Sequence, residues 1–248
     1  MAERRIIDGY TTPGTERETV MSVEALLGAM DVAGVARAVI APDDRELAVD
    51  NVAGNARVAA MASRTDGRLI AACGANPWFG DQSIESLREA RASGARMLVL
   101  APALQGFSVV DELVDPLMRA AGELSMPVYV HTGQHAVGSP AQVLLLAERH
   151  ASTRIILGHC GTTDYVADMR FVLEAALPNL WYELSFVRPF AMSVLHEAGG
   201  SDRFIWGSGA PRNDMSMQLR HFDEHWPIDE HPVTYAENLL RLLGEVAG

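Results

Sequence analysis

Short apolar runs alternate with longer amphipathic segments along the whole chain. The runs are rich in Val, Ile and Leu, and there are eight of them: Arg5–Ile7, Ala36–Ile40, Leu69–Gly74, Arg96–Leu100, Val128–Val130, Arg154–Leu157, Leu180–Leu184 and Phe204–Trp206. The intervening segments have helical periodicity and include Ser83–Ser93, Asp111–Leu124 and Pro140–His150. This alternation is typical of βα units around a buried parallel sheet, and eight strands predict an α/β fold of the closed (β/α)8, or TIM, barrel type.

A doubly wound open sheet is the alternative fold. It would carry a glycine-rich phosphate-binding turn after an early strand, and the segment Asp8–Thr11 is not such a turn. No linker divides the chain, so we expect a single domain over residues 1–248. Near its end, Tyr235–Leu243 has the pattern of an amphipathic helix with leucines facing inward, and Gly244 is its expected stop signal.

The net charge and the absence of long apolar stretches narrow the classes of partner. The formal charge of −12 and the pI of about 5.0 disfavour nucleic acid and anionic membrane surfaces. A small-molecule substrate is therefore expected, with a homo-oligomer or pairing with a related barrel as further possibilities. Since the N-terminus lacks a signal-peptide pattern and no apolar stretch could span a bilayer, we expect a cytoplasmic protein.

The types of basic and sulfur-containing residues exclude several chemistries. All 20 basic residues are arginines, so no lysine is present to form a Schiff base, hold a pyridoxal cofactor or become carboxylated between two metals. Cys73 and Cys160 are the only cysteines. Two cysteines cannot form a disulfide framework or a four-thiolate zinc site, so both are expected to be reduced thiols.

Two histidines stand where apolar strands end. His131 ends the fifth run and His159 follows the sixth, and each lies shortly before a glycine. Reactive groups of (β/α)8 barrels are carried at the C-terminal ends of the strands. A single histidine there is often only a hydrogen-bonded core residue, but two equivalent placements favour a functional pair. Asp8 also ends a buried strand and is a third catalytic candidate.

These residues give the chain a resemblance to the amidohydrolase-related metal-dependent hydrolases. That family includes decarboxylases of aromatic amino-carboxylates and lactonases of cyclic dicarboxylates. The resemblance runs from Ile6–Asp8 through both histidines to Arg203–Ser208 and the terminal helix. It implies a metal ligand at His131 and a catalytic or substrate-polarising histidine at His159.

The sequence departs from the family pattern at its metal ligands. Where the family has Asp-x-His-x-His, this chain has Asp8-Gly9-Tyr10-Thr11-Thr12, and where the family has Gly-Ser-Asp, it has Gly207-Ser208-Gly209. Catalytic zinc sites usually keep three protein ligands, and only His131 carries over directly. We therefore expect no cofactor.

A divalent metal such as zinc is the alternative. It would bind first at His131 and would need replacement ligands on or near strand ends or in the following loops, for which the candidates are Asp8, His135, Cys160, Asp164, Glu183 and Asp214. Asp164 suits the N-cap of a helix over 165–176 better than a metal ligand.

Four further residues are predicted to bind substrate. Arg188 and Arg212 follow the seventh and eighth strands and could hold a substrate carboxylate. Tyr10 stands at a vacated ligand position, where its hydroxyl could donate to a substrate oxygen. Trp78 follows the third strand and would suit an apolar pocket wall.

Together these features predict an amidohydrolase-like hydrolase of a lactone, amide or related bond in a small cyclic or carboxylated substrate. His159 is the expected general base, acting without metal; decarboxylase-like chemistry is a further possibility. The alternative is a catalytically degenerate barrel that serves as a ligand-binding or structural subunit, paired with a metal-competent relative. The segment His221–His225 matches a zinc-protease pattern, but it is short and stopped by Pro227, which indicates a solvated helix end.

Overall fold

A computed structural model describes residues 5–16, 18–133, 135–162, 164–199 and 202–245 of the chain. Its main sheet has eight parallel strands that pair in chain order. They are β1 Ile7–Thr11, β2 Arg37–Ile40, β3 Leu69–Gly74, β4 Met97–Leu100, β5 Val128–His131, β6 Ile155–Gly158, β7 Leu180–Glu183 and β8 Phe204–Ile205. The predicted (β/α)8 barrel is confirmed.

Backbone hydrogen bonds join the first strand to the segment that follows the last. The Gly9 amide donates to the Trp206 carbonyl at 3.0 Å, and the Gly209 amide donates to the Tyr10 carbonyl at 3.1 Å. A Cβ on Gly9 would lie 2.9 Å from the Trp206 carbonyl oxygen, so this close approach needs glycine. Because neighbours in sequence are neighbours in the sheet and its two ends meet, the doubly wound alternative is wrong.

Helices follow the strands and pack against the outside of the barrel. They are α1 Val23–Ala33, α2 Asp44–Ala48, α3 Asn51–Ala62, α4 Asp81–Ala92, α5 Pro102–Gln105, α6 Asp115–Glu123, α7 Pro140–Arg149, α8 Met169–Ala175, α9 Pro189–Gly199, α10 Met215–His225 and α11 Asn238–Leu242. Short 3-10 turns are Pro77–Phe79, Glu112–Val114, Ala136–Gly138, His159–Gly161 and Val166–Asp168. A small hairpin of Gly14–Thr15 and Val20–Met21 precedes α1.

Three of the predicted helices differ from the observed ones. The terminal helix expected over Tyr235–Leu243 consists of a π-helical turn, Val233–Glu237, followed by α11. The segment 111–124 divides into a 3-10 turn and α6, because Pro116 lacks an amide hydrogen and favours the first turn of a new helix. The prediction that Asp164 caps a helix over 165–176 is wrong, because α8 begins at Met169 with Asp168 as its N-cap residue.

The C-terminal helix closes the end of the barrel at which the strands begin. Leucines of α11 pack with the inward-facing residues of the barrel. Arg37 at the start of β2 pairs with Glu245 at 2.5 Å, and Arg96 just before β4 donates to the Leu243 carbonyl at 2.6 Å. The predicted stop at Gly244 is confirmed, since this residue has φ +70°. The C-terminal ends of the strands are left as the open face.

The buried carboxyl of Asp8 links β1 to the segment after β8. Its Oδ1 accepts hydrogen bonds from the backbone amides of Ser208 at 2.9 Å and Tyr10 at 3.1 Å. Burial raises the pKa of this carboxyl to about 7, and the hydrogen bonds from Ser208 and Tyr10 act in the opposite direction. The carboxyl therefore gains protons on folding at mildly acidic pH.

This raised pKa predicts a pH-dependent contribution to stability. Between about pH 4 and 7 the folded protein binds a proton at Asp8 that the unfolded chain has released, so stability falls as pH rises. The wild-type protein should lose up to about 1.4 kcal/mol of unfolding free energy per pH unit relative to Asp8→Asn. Urea unfolding at pH 5, 6, 7 and 8 measures this difference.

The matched control is Asp66→Asn, which changes an exposed carboxylate. It should keep the wild-type dependence on pH. A constant stability difference between wild type and Asp8→Asn across the four pH values would contradict the prediction.

Candidate functional site

Inward-facing polar side chains gather where β5 and β7 end. Side chains alternate between the two faces of a strand, so Tyr129 and His131 of β5 both point into the barrel, and Glu183 of β7 does the same. The ring of Tyr129 lies against Gly158 of β6, where any Cβ would collide with it. This glycine provides the space through which the Tyr129 hydroxyl reaches Glu183.

A continuous series of hydrogen bonds runs from Tyr10 to Glu183. The Tyr10 hydroxyl lies 2.7 Å from His131 Nε2, and His131 Nδ1 lies 3.0 Å from His159 Nε2. On its other side, His159 Nδ1 lies 2.8 Å from Ser185 Oγ. Ser185 Oγ in turn donates to Glu183 Oε2 at 2.9 Å. We call Tyr10, His131, His159, Ser185 and Glu183 the polar chain.

Glu183 is ionised despite being fully buried. Its Oε2 accepts from the Tyr129 hydroxyl at 2.5 Å and from the His159 amide at 3.2 Å, and its Oε1 accepts from the Ser185 amide at 2.8 Å. Burial acts to raise the pKa of this carboxyl, but the hydrogen bonds from His159, Tyr129 and the Ser185 amide outweigh it. The resulting pKa is lower than usual.

The two groups nearest the cavity are neutral. Burial, with smaller effects of His159 and Arg212, holds the pKa of His131 well below 6.5. Burial and the nearby charges of Glu16 and Asp44 hold the pKa of Tyr10 well above 10. Near neutral pH, His131 is thus an uncharged imidazole and Tyr10 a protonated phenol.

A left-handed turn brings His159 into the polar chain. Four consecutive residues have positive φ: His159 at 66°, Cys160 at 44°, Gly161 at 75° and Thr162 at 51°. Three of them carry a Cβ and are strained in this conformation. Two hydrogen bonds hold the turn: the His159 amide donates to Glu183 Oε2, and the Gly161 amide donates to Thr132 Oγ1. It orients the imidazole between His131 and Ser185.

A cavity of about 440 Å³ opens over this cluster at the barrel mouth. Its lining residues come mainly from β1 and from the loops after β6, β7 and β8, with α10 along one side: Tyr10, Thr12, Asp44, His131, His159, Thr162, Phe186, Val187, Arg188, Pro189, Gly209, Arg212, Asn213, Met217, Gln218 and His221. A second hollow of about 480 Å³ lies outside the barrel beside α3 and α4, and Asp50 is the one titratable residue in its lining within the described ranges. The titratable side chains that could take part in a reaction are therefore concentrated at the barrel mouth.

The two predicted substrate-binding arginines differ in their surroundings. Arg212 binds Glu16 at 3.0 Å and Asp44 at 2.5 Å, so its charge is already compensated. Arg188 is exposed at the cavity wall and has no ion pair or side-chain hydrogen bond to any described residue. Of the two, Arg188 is the cation that remains available to an anionic ligand.

The other predicted residues fall into two groups. Tyr10, His131 and His159 line the cavity together, whereas Asp8 and Trp78 are not in its wall. Asp8 is buried beneath it, and Trp78 is exposed and donates from Nε1 to the Gly106 carbonyl at 3.2 Å. The catalytic role of Asp8 and the binding role of Trp78 stay predictions.

Three lining or neighbouring residues were missed by the sequence analysis. Ser185 and Phe186 follow β7 and were not singled out, although inward alternation from Glu183 places Ser185 on the same face. His221 lies on α10 and lines the cavity, so the expected solvated helix end faces the site instead.

The donor atoms present do not fit the metal site of the resembling family. The Tyr10 hydroxyl occupies the Nε2 side of His131, and no group of three His, Cys, Asp or Glu side chains in the described ranges could hold a metal ion. At the lost carboxylate position, a Cβ on Gly209 would lie 2.6 Å from the ring of Phe186. An aspartate there would require this ring to move.

The proposed replacement ligands do not fill the gap. Glu183 is held in the polar chain, and Asp214 caps α10 by accepting from the Met217 amide at 2.8 Å. Cys160 is buried, and burial raises the pKa of its thiol well above 9. His135 is exposed and lies outside the lining of the cavity. The described residues therefore provide no rebuilt metal site.

The sequence matches the family model described as Amidohydrolase over residues 8–242. The chain belongs to the amidohydrolase family. Among curated proteins, none matches this chain. None of the helices in the described part of the chain is both long and apolar enough to cross a bilayer; the cytoplasmic location stays a prediction.

Solved structures share the fold of this amidohydrolase at low sequence identity. A probable 2-pyrone-4,6-dicarboxylic acid hydrolase from Acinetobacter baumannii, with citric acid bound, is 15% identical, with a TM-score of 0.73 over 97% of this chain and 99% of that one. The 5-carboxyvanillate decarboxylase from Novosphingobium aromaticivorans, complexed with manganese and 4-hydroxy-3-methoxy-5-nitrobenzoic acid, is 16% identical, with a TM-score of 0.75 over 97% and 96%. The corresponding decarboxylase from Sphingomonas paucimobilis is 13% identical, with a TM-score of 0.73 over 98% and 100%.

The ligand set predicts the metal content of the purified protein. Without a nickel-affinity tag, the amidohydrolase should carry well under one equivalent of zinc, iron or manganese, because tight catalytic sites need about three protein ligands. Elemental analysis by mass spectrometry measures this. Near-stoichiometric metal that disappears in His131→Ala would contradict the prediction.

Proposed function

We propose that this amidohydrolase hydrolyses a lactone, amide or related bond in a small carboxylated substrate, using the neutral imidazole of His131 as its general base. The observation that carries the proposal is the polar chain, which connects a neutral imidazole at the cavity to a buried carboxylate. An imidazole so placed can accept a proton from water near neutral pH. The positive charge that then forms on His131 is stabilised through His159 by the negative charge of Glu183.

We propose a role for His159 that differs from the one expected from the sequence. Its Nε2 is bonded to His131 and its Nδ1 to Ser185, so both of its ring nitrogens face the interior of the polar chain, whereas Nε2 of His131 faces Tyr10 at the cavity. His131 lies in front of it and is less deeply buried. We therefore place the base at His131, with His159 as the positioning residue that holds the His131 ring and transmits the effect of Glu183.

Arg188 supplies the contact that selects a carboxylated substrate. Its guanidinium is uncompensated at the cavity wall, and bidentate pairing with a carboxylate is the favoured geometry for arginine. Once Arg188 holds the carboxylate of the substrate, the scissile carbonyl can be placed near His131. Citric acid in one structural neighbour and a nitrobenzoic acid in another are small carboxylated ligands of the same kind.

No step of this mechanism runs through a metal ion. Water loses a proton to the base, its oxygen bonds to the carbonyl carbon, and the leaving oxygen or nitrogen takes the proton back as the bond breaks. The residues return to their starting states.

Replacing the base should abolish most turnover while leaving the fold intact. We expect His131→Asn to lower kcat about 10²- to 10⁴-fold in assays with small carboxylated lactones and amides. Because the pKa of His131 is lowered, the limb over which wild-type kcat/KM rises with pH should lie below pH 6.5. His135→Asn changes an exposed histidine outside the cavity and is the matched control.

Two results would contradict this assignment. Full activity in folded His131→Asn would remove His131 from the mechanism. No turnover by the wild-type protein across the panel would favour the catalytically degenerate barrel, and release of CO₂ from aromatic carboxylates without hydrolysis would replace hydrolysis by decarboxylation.

Loss of the Arg188 charge should weaken binding rather than chemistry. We expect Arg188→Gln to raise KM for carboxylated substrates by about tenfold or more, since a hydrogen bond to a charged group contributes about 1.5–3 kcal/mol. KM for the corresponding methyl esters should change little. Arg220→Gln, an exposed arginine on α10 that does not line the cavity, is the control. Equal effects on acid and ester substrates would contradict the role of Arg188.

A further inference from the structure

The ionised state of Glu183 fixes the direction of hydrogen bonding at one end of the polar chain. A carboxylate only accepts, so the hydroxyls of Tyr129 and Ser185 both donate to it. Each hydroxyl has one proton and has then none left for His159. The Ser185 oxygen must accept from His159 Nδ1, which therefore carries a hydrogen.

The same logic continues to the cavity. The protonated Tyr10 hydroxyl donates to His131 Nε2, so the neutral His131 carries its hydrogen on Nδ1 and donates it to His159 Nε2 at 3.0 Å. The lone pair of His131 is on Nε2, where it accepts from the Tyr10 hydroxyl at 2.7 Å. The carboxylate of Glu183 at one end and the protonated phenol of Tyr10 at the other thus fix the tautomers of the two histidines between them.

We infer that Tyr10 is a catalytic residue whose hydroxyl carries the proton between the substrate water and His131. The inference rests on the proposed hydrolysis. Tyr10 lines the cavity and its hydroxyl covers the lone pair of the base, so a proton leaving the cavity reaches His131 Nε2 through the phenol oxygen. In this way the residue that replaces a metal ligand of the family would take part in the chemistry.

The step balances without a further reactant. An O–H bond of water breaks and its proton binds the Tyr10 oxygen, while the original Tyr10 proton moves to His131 Nε2 and the water oxygen bonds to the carbonyl carbon. When the tetrahedral intermediate collapses, the leaving oxygen or nitrogen takes a proton from Tyr10, and Tyr10 regains one from His131. Water has been added across the scissile bond, and Tyr10 and His131 are unchanged.

The surroundings of Tyr10 favour this coupled transfer over a free tyrosinate. Its phenol is buried near the carboxylates of Glu16 and Asp44, which disfavour a negative charge on it. Its ring stacks on Tyr129 at a centroid distance of 4.7 Å and an interplanar angle of 13°, which fixes the hydroxyl at His131. The phenol oxygen of Tyr10 must therefore accept one proton and release the other in a single concerted step.

Nuclear magnetic resonance tests the hydrogen-bond directions without any substrate. In ¹⁵N-histidine-labelled wild-type protein at neutral pH, long-range ¹H–¹⁵N correlations should show both His131 and His159 with hydrogen on Nδ1. This pattern is distinctive because free histidine favours hydrogen on Nε2. Signals are assigned by their loss in His131→Asn and His159→Asn, and in Tyr10→Phe the His131 Nε2 resonance should move to higher frequency as its donor is removed. Hydrogen on Nε2 of either ring in the wild type would overturn the inference.

Kinetics test the role of the hydroxyl itself. Tyr10→Phe should lower kcat about 10²- to 10⁴-fold with KM nearly unchanged. The rate in mixtures of H₂O and D₂O should report two protons in transfer for the wild type and one for the variant, a change that a merely space-filling Tyr10 would not produce. Tyr182→Phe, a buried tyrosine that packs against Phe204 outside the barrel interior, is the matched control.

The outcomes separate this inference from the proposed function. Wild-type turnover with an unchanged kcat in folded Tyr10→Phe would overturn the role of Tyr10 and leave hydrolysis by His131 standing. If the wild-type protein hydrolyses no substrate of the panel, the proposed function fails, and the catalytic role of Tyr10 fails with it.

Discussion

A buried negative charge on Glu183 is the constraint on which the barrel mouth depends. A carboxylate removed from water is tolerated only where donors replace its hydration. Here two hydroxyls and two backbone amides surround it, from Tyr129, Ser185 and the His159 amide. Each of these donors is held in place by its hydrogen bond to Glu183. Removing the Glu183 carboxylate would therefore free the side chains of Tyr129 and Ser185 and the backbone of His159 at once.

Two glycines leave the space that this arrangement needs, because they carry no side chain. Gly158 leaves room for the ring of Tyr129, and Gly207 leaves room for the carboxylate of Glu183. Gly158 ends β6 opposite His131, and Gly207 lies two residues after Ile205, the β8 residue that pairs with Glu183. In a densely packed interior a methyl group at either position would displace the charged cluster. The glycines at these strand ends therefore belong to the site as much as the histidines do.

The alternation of inward- and outward-facing side chains along the strands predicted much of the fold but only part of the site. The eight strands could be recognised because a barrel buries both faces of each strand, and His131 follows from the same inward periodicity as Tyr129. His159 does not, because the inward position on β6 is Gly158 and a left-handed turn rotates the next residue toward the interior. The pairing of Arg212 also escaped prediction, since its two carboxylates come from segments remote in sequence.

The lost ligand positions lie together on one side of the barrel. Tyr10 and Thr12 of the first strand are joined by backbone hydrogen bonds to Gly209 and Ala210 after the eighth. The Arg212 ion pairs cross the same junction, and Phe186 packs against Gly209. Restoring one metal ligand there would leave the other ligands missing and would disturb these contacts. The replacements at the family's ligand positions therefore depend on one another. The opposite side keeps His131, His159 and Glu183 in one hydrogen-bonded series, and Arg188 follows the same strand as Glu183. The proposed reaction therefore uses a series of hydrogen-bonded groups anchored by the Glu183 carboxylate, and the rebuilt junction between the first and last strands provides the Tyr10 phenol at its other end.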